Sequence, residues 1–290
     1  MRPCTPIDPP GPSHACLDAN RAPAYGPRPM QTNPTGYWGP STSTVDWCET
    51  NYQHLFYVSE LFNTASSLVL VLVGLVGVLL HRRVLERRFL LAFALLSVVG
   101  VGSTAFHATL QREHQMLDEL PMLYLAIVIV YILLEDRPQR RFGSWFPLAL
   151  LGHAVLVTYL TAFTRGTAQF FLFQVSFASL EFYALGRTYV LQRRSPDASV
   201  KRLFRLGIAA YALAIVLWLS DIQFCPVLND TLPSHGLPNP QFHAWWHVLV
   251  SCGFYTLLLV IAHDRLRTLG RQPRLTSARG IPRVQALAPP

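Results

Sequence analysis

Residues 241–262 read QFHAWWHVLVSCGFYTLLLVIA, an apolar run that opens on two histidines four positions apart. A helix rises about 1.5 Å per residue, so some 20 apolar residues cross the ~30 Å of hydrocarbon in a bilayer. The run has that length and shows none of the apolar/polar alternation of a barrel strand. Residues i and i+4 lie one above the other on a helix face, so His243 and His247 point the same way at the start of the span. Ionisable groups at the end of a membrane helix are costly to place there, which makes them candidates for function.

The rest of the chain fits this reading. Of 290 residues, 51% are hydrophobic and 14% charged, and the mean hydropathy is +0.29, too apolar for an ordinary soluble domain. Seven apolar runs occur, at about 55–80, 89–110, 116–134, 145–163, 168–191, 203–222 and 242–262. Lipid leaves backbone groups no water to bond, so only helices or closed barrels span it. The expectation is therefore an all-α, polytopic bundle of seven transmembrane helices.

Orientation follows from the basic residues, which stay on the cytoplasmic side. The loops after the first, third and fifth runs carry twelve Arg and Lys: Arg82, Arg83, Arg87, Arg88, Arg137, Arg140, Arg141, Arg193, Arg194, Lys201, Arg202 and Arg205. The loops after the second, fourth and sixth carry two, Arg112 and Arg165. This places the N-terminus in the lumen or outside the cell and the C-terminus in the cytoplasm. The net charge of +8 is then a topology signal and not a nucleic-acid footprint, and nothing in the sequence calls for an obligate protein partner. Residues 1–36 hold nine prolines and read as a disordered tail, residues 37–264 as the membrane domain, and residues 265–290 as a loose, basic cytoplasmic tail.

With that orientation, three stretches meet at the outer end of the bundle: Gly102-Ser-Thr-Ala-Phe-His107, Gln115-Met-Leu-Asp118, and the opening histidines. Ser103 lies one turn from His107 on the same face. His107, His243 and His247 can converge on one point, and three histidines with an open fourth position make a catalytic zinc site. Asp118 and Ser103 add a carboxylate and a hydroxyl, as a hydrolase requires. Helix-end histidines contacting headgroups, with Trp245 and Trp246 in the interfacial belt, are the plainer account of each residue taken singly.

On the same side, Asp46-Trp47-Cys48-Glu49-Thr50-Asn51, followed by Glu60, offers oxygen ligands of the kind calcium takes, with the Trp47 carbonyl among them. Helix capping accounts for the same residue types. Cys48 and Cys225 both fall on the outer side, where a disulfide is permitted. Glu181, within the fifth run, reads as a contact to a lipid headgroup or as a pairing group inside the bundle. Asn229-Asp-Thr231 is a glycosylation acceptor pattern in the loop after the sixth run.

Four blocks carry a resemblance: GYWGPSTSTVDWCETNY (36–52), VGVGSTAFHATL (99–110), QMLDELPMLY (115–124) and QFHAWWHVL (241–249). In order and spacing they are similar to the alkaline ceramidases, in particular the phytoceramidase type. The resemblance implies an intramembrane zinc amidase of the endoplasmic reticulum or Golgi that splits ceramide into a sphingoid base and a fatty acid. It implies that His107, His243 and His247 hold Zn2+, that Ser103 and Asp118 are catalytic, and that Asp46, Trp47, Glu49, Asn51 and Glu60 hold Ca2+. It also implies a Cys48–Cys225 disulfide. The progestin and adipoQ receptors share the Ser, Asp and three-His constellation and form the alternative; the DWCETN block and the outward N-terminus speak against them.

Overall fold

The computed structural model describes residues 36–139 and 141–287, so the Pro-rich tail, but for Gly36, lies outside the described residues. Among the described residues, seven helices are long and apolar enough to cross a membrane: α1 (Leu61–His81), α2 (Arg87–Thr109), α3 (Arg112–Leu134), α4 (Trp145–Phe163), α5 (Gly166–Arg194), α6 (Ala198–Gln223) and α7 (Phe242–Thr268). The protein is a multi-pass helical bundle. A short helical segment, Val227–Thr231 and Leu232–Ser234, fills the connection between α6 and α7.

Helix α7 packs between α1 and α6, and α2 between α1 and α3. The core runs from Phe89, Phe93 and Leu96 of α2 to Ile129 of α3, and on to Leu259 and Val260 of α7. No hydrophobic force drives helices together in lipid, so close packing and small residues must do it. Gly100 of α2 meets the backbone of α1: a Cβ there would sit 2.6 Å from the Val71 nitrogen.

Three features differ from the sequence-based expectation. Helix α1 begins at Leu61 rather than near 55, because Leu55 and Val58 close a tight turn ahead of it. Helix α3 begins at Arg112 and not 116, so that Pro121 lies well inside the helix. The third correction concerns residues 265–290, read above as loose. Helix α7 continues through Thr268, and an antiparallel hairpin follows, β1 (Gln272–Ala278) and β2 (Ile281–Leu287). The turn residues Arg279 and Gly280 both have positive φ, 52° and 84°, as a two-residue hairpin turn needs. Val284 is fully buried, its N–H donating to His81 Nε2 at 3.2 Å, while the Tyr255 hydroxyl donates to the Pro282 carbonyl at 2.7 Å. Those contacts tie the hairpin to α1 and α7.

Candidate metal centre and its surroundings

The end of α2 leaves backbone carbonyls without helical partners. The segment before α1 supplies the missing donors. The amides of Thr42 and Ser43 bond the Leu110 carbonyl, that of Ser59 the Ala108 carbonyl and that of Glu60 the His107 carbonyl. This laces residues 42–60 across one end of the bundle and delivers the Glu60 side chain to His107. At the same end the first amides of α1 lack acceptors. Glu49 provides them, its two oxygens accepting from Phe62 N–H at 2.8 Å and Asn63 N–H at 2.9 Å.

His107, His243 and His247 come together there. All three are buried, with ring centroids 4.7–5.1 Å apart and one ligand nitrogen from each within 4.8 Å of the others. His107 Nδ1 is held by the Glu60 carboxylate and His247 Nδ1 by the Ser66 hydroxyl at 2.8 Å. Binding one ring nitrogen fixes the other as a free donor atom, the usual arrangement around a metal. Trp47 stacks on His243, centroids 3.9 Å apart and planes at 18°. His107 Nε2 and His243 Nδ1 are buried without any partner among the described residues, and buried nitrogens are rarely left so. The donor set fits a divalent metal with nitrogen ligands.

Ser103 and Asp118 flank this point. The Ser103 hydroxyl lies 3.4 Å from His247 Nε2 and 3.0 Å from the Ser67 hydroxyl, and it interacts with the Asp118 carboxyl. Their meeting has a backbone cause. Pro121 cannot donate to the Leu117 carbonyl four residues earlier. Gly102 faces that carbonyl so closely that a Cβ would lie 1.9 Å from its oxygen. With Gly102 seated on Leu117, the next residue of each helix, Ser103 and Asp118, come face to face. Both line a cleft with apolar walls that include Val99, Met122, Phe177 and Trp246.

The oxygen-rich segment is more committed to protein contacts than the sequence suggested. Glu49 serves as the cap of α1, and Glu60 Oε1 accepts from the Trp47 amide at 3.2 Å. Asn51 donates to Asp46 at 3.1 Å, while its own Oδ1 is buried without a partner among the described residues. Burial, and then the negative charges of Asp46, Glu49 and Asp221, push the Glu60 carboxyl well above the ordinary carboxylate range. The Cys48–Cys225 disulfide is formed. Beside it, Asp221 accepts from the Cys48 amide at 3.0 Å and from the His243 amide at 3.3 Å, joining the loop, α6 and the first turn of α7. Asn229 is likewise engaged, donating to the Cys48 carbonyl and accepting from Asn239 at 2.8 Å.

A family model described as Ceramidase matches residues 39–284. The chain belongs to the ceramidase family. It is 34% identical over 255 residues to alkaline ceramidase 3 of Mus musculus, covering 85% of this chain and 92% of the mouse protein. An alkaline ceramidase of Arabidopsis thaliana is 30% identical over 250 residues, covering 85% and 93%. The matched range reaches into the second strand of the hairpin, which is thus part of the ceramidase body.

The structure brings the three imidazoles, Ser103 and Asp118 together at one end of this ceramidase, where sequence reasoning put them. That reasoning missed Ser66, and it assigned Glu60 without its bond to His107. The available signal was the run Asn63-Thr-Ala-Ser-Ser67, five small or polar residues at the head of a membrane helix, whose i, i+3 and i+4 spacing presents Asn63, Ser66 and Ser67 together.

Proposed function

We propose that the protein hydrolyses ceramide at the outer end of the bundle as a zinc-dependent intramembrane amidase. The observation that carries this reading is the trio of buried imidazoles, two with nitrogens lacking partners among the described residues, set beside Ser103 and Asp118 in a cleft walled for lipid chains. His107, His243 and His247 would hold the ion, and when bound it supplies Lewis acidity, polarising the amide carbonyl and making a water nucleophilic near neutral pH. Asp118 orients the attacking water and takes its proton. Ser103 donates a hydrogen bond to the oxyanion of the tetrahedral intermediate, an interaction whose loss typically costs about 10²–10³ in turnover. An amide nitrogen leaves only once protonated, so Asp118 returns the proton to it. One water is consumed and the products are a sphingoid base and a fatty acid.

Calcium is proposed at Asp46, Trp47, Glu49, Asn51 and Glu60. Supporting it are the unpartnered Asn51 Oδ1 and the crowding of negative charge on Glu60, both of which a hard cation would relieve. A cation there steadies Glu60, and through it His107. The basic loops support an outward N-terminus, and a disulfide on that side suits an oxidising lumen; the endoplasmic reticulum or Golgi is the proposed membrane.

Purified protein in detergent should release fatty acid from ceramide and carry zinc. His243→Ala should lose both together, whereas Asp118→Asn should lose turnover and keep the metal. Turnover that survives in Asp118→Asn overturns the assignment of the base, and a folded, zinc-loaded wild type without turnover overturns the substrate.

A further inference from the structure

Glu181 is an ionisable residue halfway along α5 that the chemistry above leaves unused. Buried acids of the bundle are bonded: Glu49 to the head of α1, Asp221 to two amides, and Glu119 to Gln115 and Gln169, whereas Glu181 is half-buried. Against Glu181, among the described residues, no hydrogen-bond donor or cation is set. The pairing role considered from sequence is therefore not what places it there.

Its surroundings suggest another. Glu181 lines a second cleft, whose walls include Ala126, Ile129, Leu258 and Ile261. Tyr211 and Phe254, in edge contact at 5.8 Å, line both this cleft and the one holding Ser103 and Asp118. The two clefts thus share an aromatic wall. Along α3, Ala126 lies eight positions beyond Asp118, about 12 Å deeper at ~1.5 Å per residue. That is most of the ~15 Å of one leaflet, half of a ~30 Å hydrocarbon core. A chain attached to an amide at Ser103 and Asp118 would have its far part beside Glu181.

We propose that the second cleft seats the distal part of one substrate chain and that Glu181 selects chains bearing a hydroxyl at that depth. The inference rests on an N-acyl sphingoid amide being the substrate. Plain methylenes packed on Glu181 leave the carboxyl without a partner in a medium of low polarity, which is costly. A chain hydroxyl can both donate to it and accept from it. Sites that bond a substrate hydroxyl discriminate sharply against the analogue lacking one. Glu181 is a specificity residue in this account and touches no reacting atom.

The test uses the full chain in detergent and three amides of equal chain length: one unsubstituted, one with a hydroxyl in the distal half of the acyl chain, one with a hydroxyl near the amide. Wild type should prefer the distal-hydroxyl amide over the plain one by about tenfold in kcat/KM, the worth of one net hydrogen bond. The near-amide hydroxyl should bring no such gain. In Glu181→Leu the ratio should collapse to near one, and in Glu181→Gln, whose amide also donates and accepts, part of it should return. Wild type that cleaves the amides without preference, or Glu181→Leu that keeps the preference, overturns the selection role and leaves the amidase reading standing. Wild type that cleaves none of the three overturns the amidase reading instead.

Discussion

Helices α4 and α7 are equally apolar by sequence, each with a mean hydropathy of 1.7 over its most apolar stretch, yet 56% of that stretch is buried in α7 and 17% in α4. Hydropathy measures only compatibility with lipid. What draws a helix into the middle of the bundle is the capacity for close approach and for polar contacts that lipid cannot offer. Helix α7 has both: a Cβ added at Gly253 would lie 3.3 Å from the Gly207 carbonyl oxygen, and His243, His247, Ser251 and Arg265 all find buried places. In α4 the corresponding small residue, Gly152, faces open space: a Cβ added there would meet no neighbouring element within 4 Å among the described residues. Catalytic candidates sit on α2, α3 and α7, the three helices buried to the same 56%.

The most direct way to sharpen this contrast is a matched pair of truncations. Leu259→Ala in α7 removes a fully buried side chain and should cost about 2–5 kcal/mol. Leu151→Ala in α4 removes one that is 59% exposed and should stay within about 0.5 kcal/mol. Melting in detergent reads both; equal losses would break the comparison. Gly102→Ala should come next, pushing α2 off the Leu117 carbonyl and parting Ser103 from Asp118. Misplacement by an ångström costs on the order of 10²-fold in turnover, so fatty-acid release should fall that far, and a fully active variant would refute the proposed seating.

Smaller effects lie one layer out. Ser66→Ala deprives His247 Nδ1 of its partner and should weaken metal retention about 10–100-fold, read by competition with a chelator. The least of these changes concerns the opposite end of the bundle, where Arg265 donates to Glu86 at 2.9 Å and to the Asp136 and Arg137 carbonyls at 2.9 and 2.8 Å. Burial alone would raise the Glu86 carboxyl, but Arg265 and Arg88 outweigh it and hold the group below its ordinary 4.5. A depressed carboxylate contributes stability that is complete above its unfolded value and fades as pH falls through the folded one. The wild-type advantage over Glu86→Gln in melting temperature should be present at neutral pH and shrink below about pH 4.5; an advantage that grows on acidification would exclude the ion pair as its source.

The spans and the convergence of His107, His243, His247, Ser103 and Asp118 were legible because they depend on two local rules, length of apolar run and i, i+4 spacing. The bonds from Glu60 to His107 and from Ser66 to His247 were not, since each crosses between elements whose docking no spacing encodes. The seating of Gly102 needed two facts from different helices, a missing side chain and a carbonyl released by Pro121. The hairpin was hidden by its charge: Arg274, Arg279 and Arg283 suggested a solvated tail, while the alternation that places Leu275 opposite Val284 on the inner face was short. Gly280, flanked by alternating residues, was the signal to weigh more heavily.

The imidazoles that meet at one end of the bundle are supplied by the second helix and the last. A ribosome makes α2 long before α7, so His107 waits in the membrane, braced by Glu60, while four further spans are inserted. Cys225 is made ahead of α7 and can join Cys48 before the final helix arrives. The three-histidine cluster therefore cannot close until the last helix has been made, so a centre built on it would stay incomplete until the chain is nearly whole.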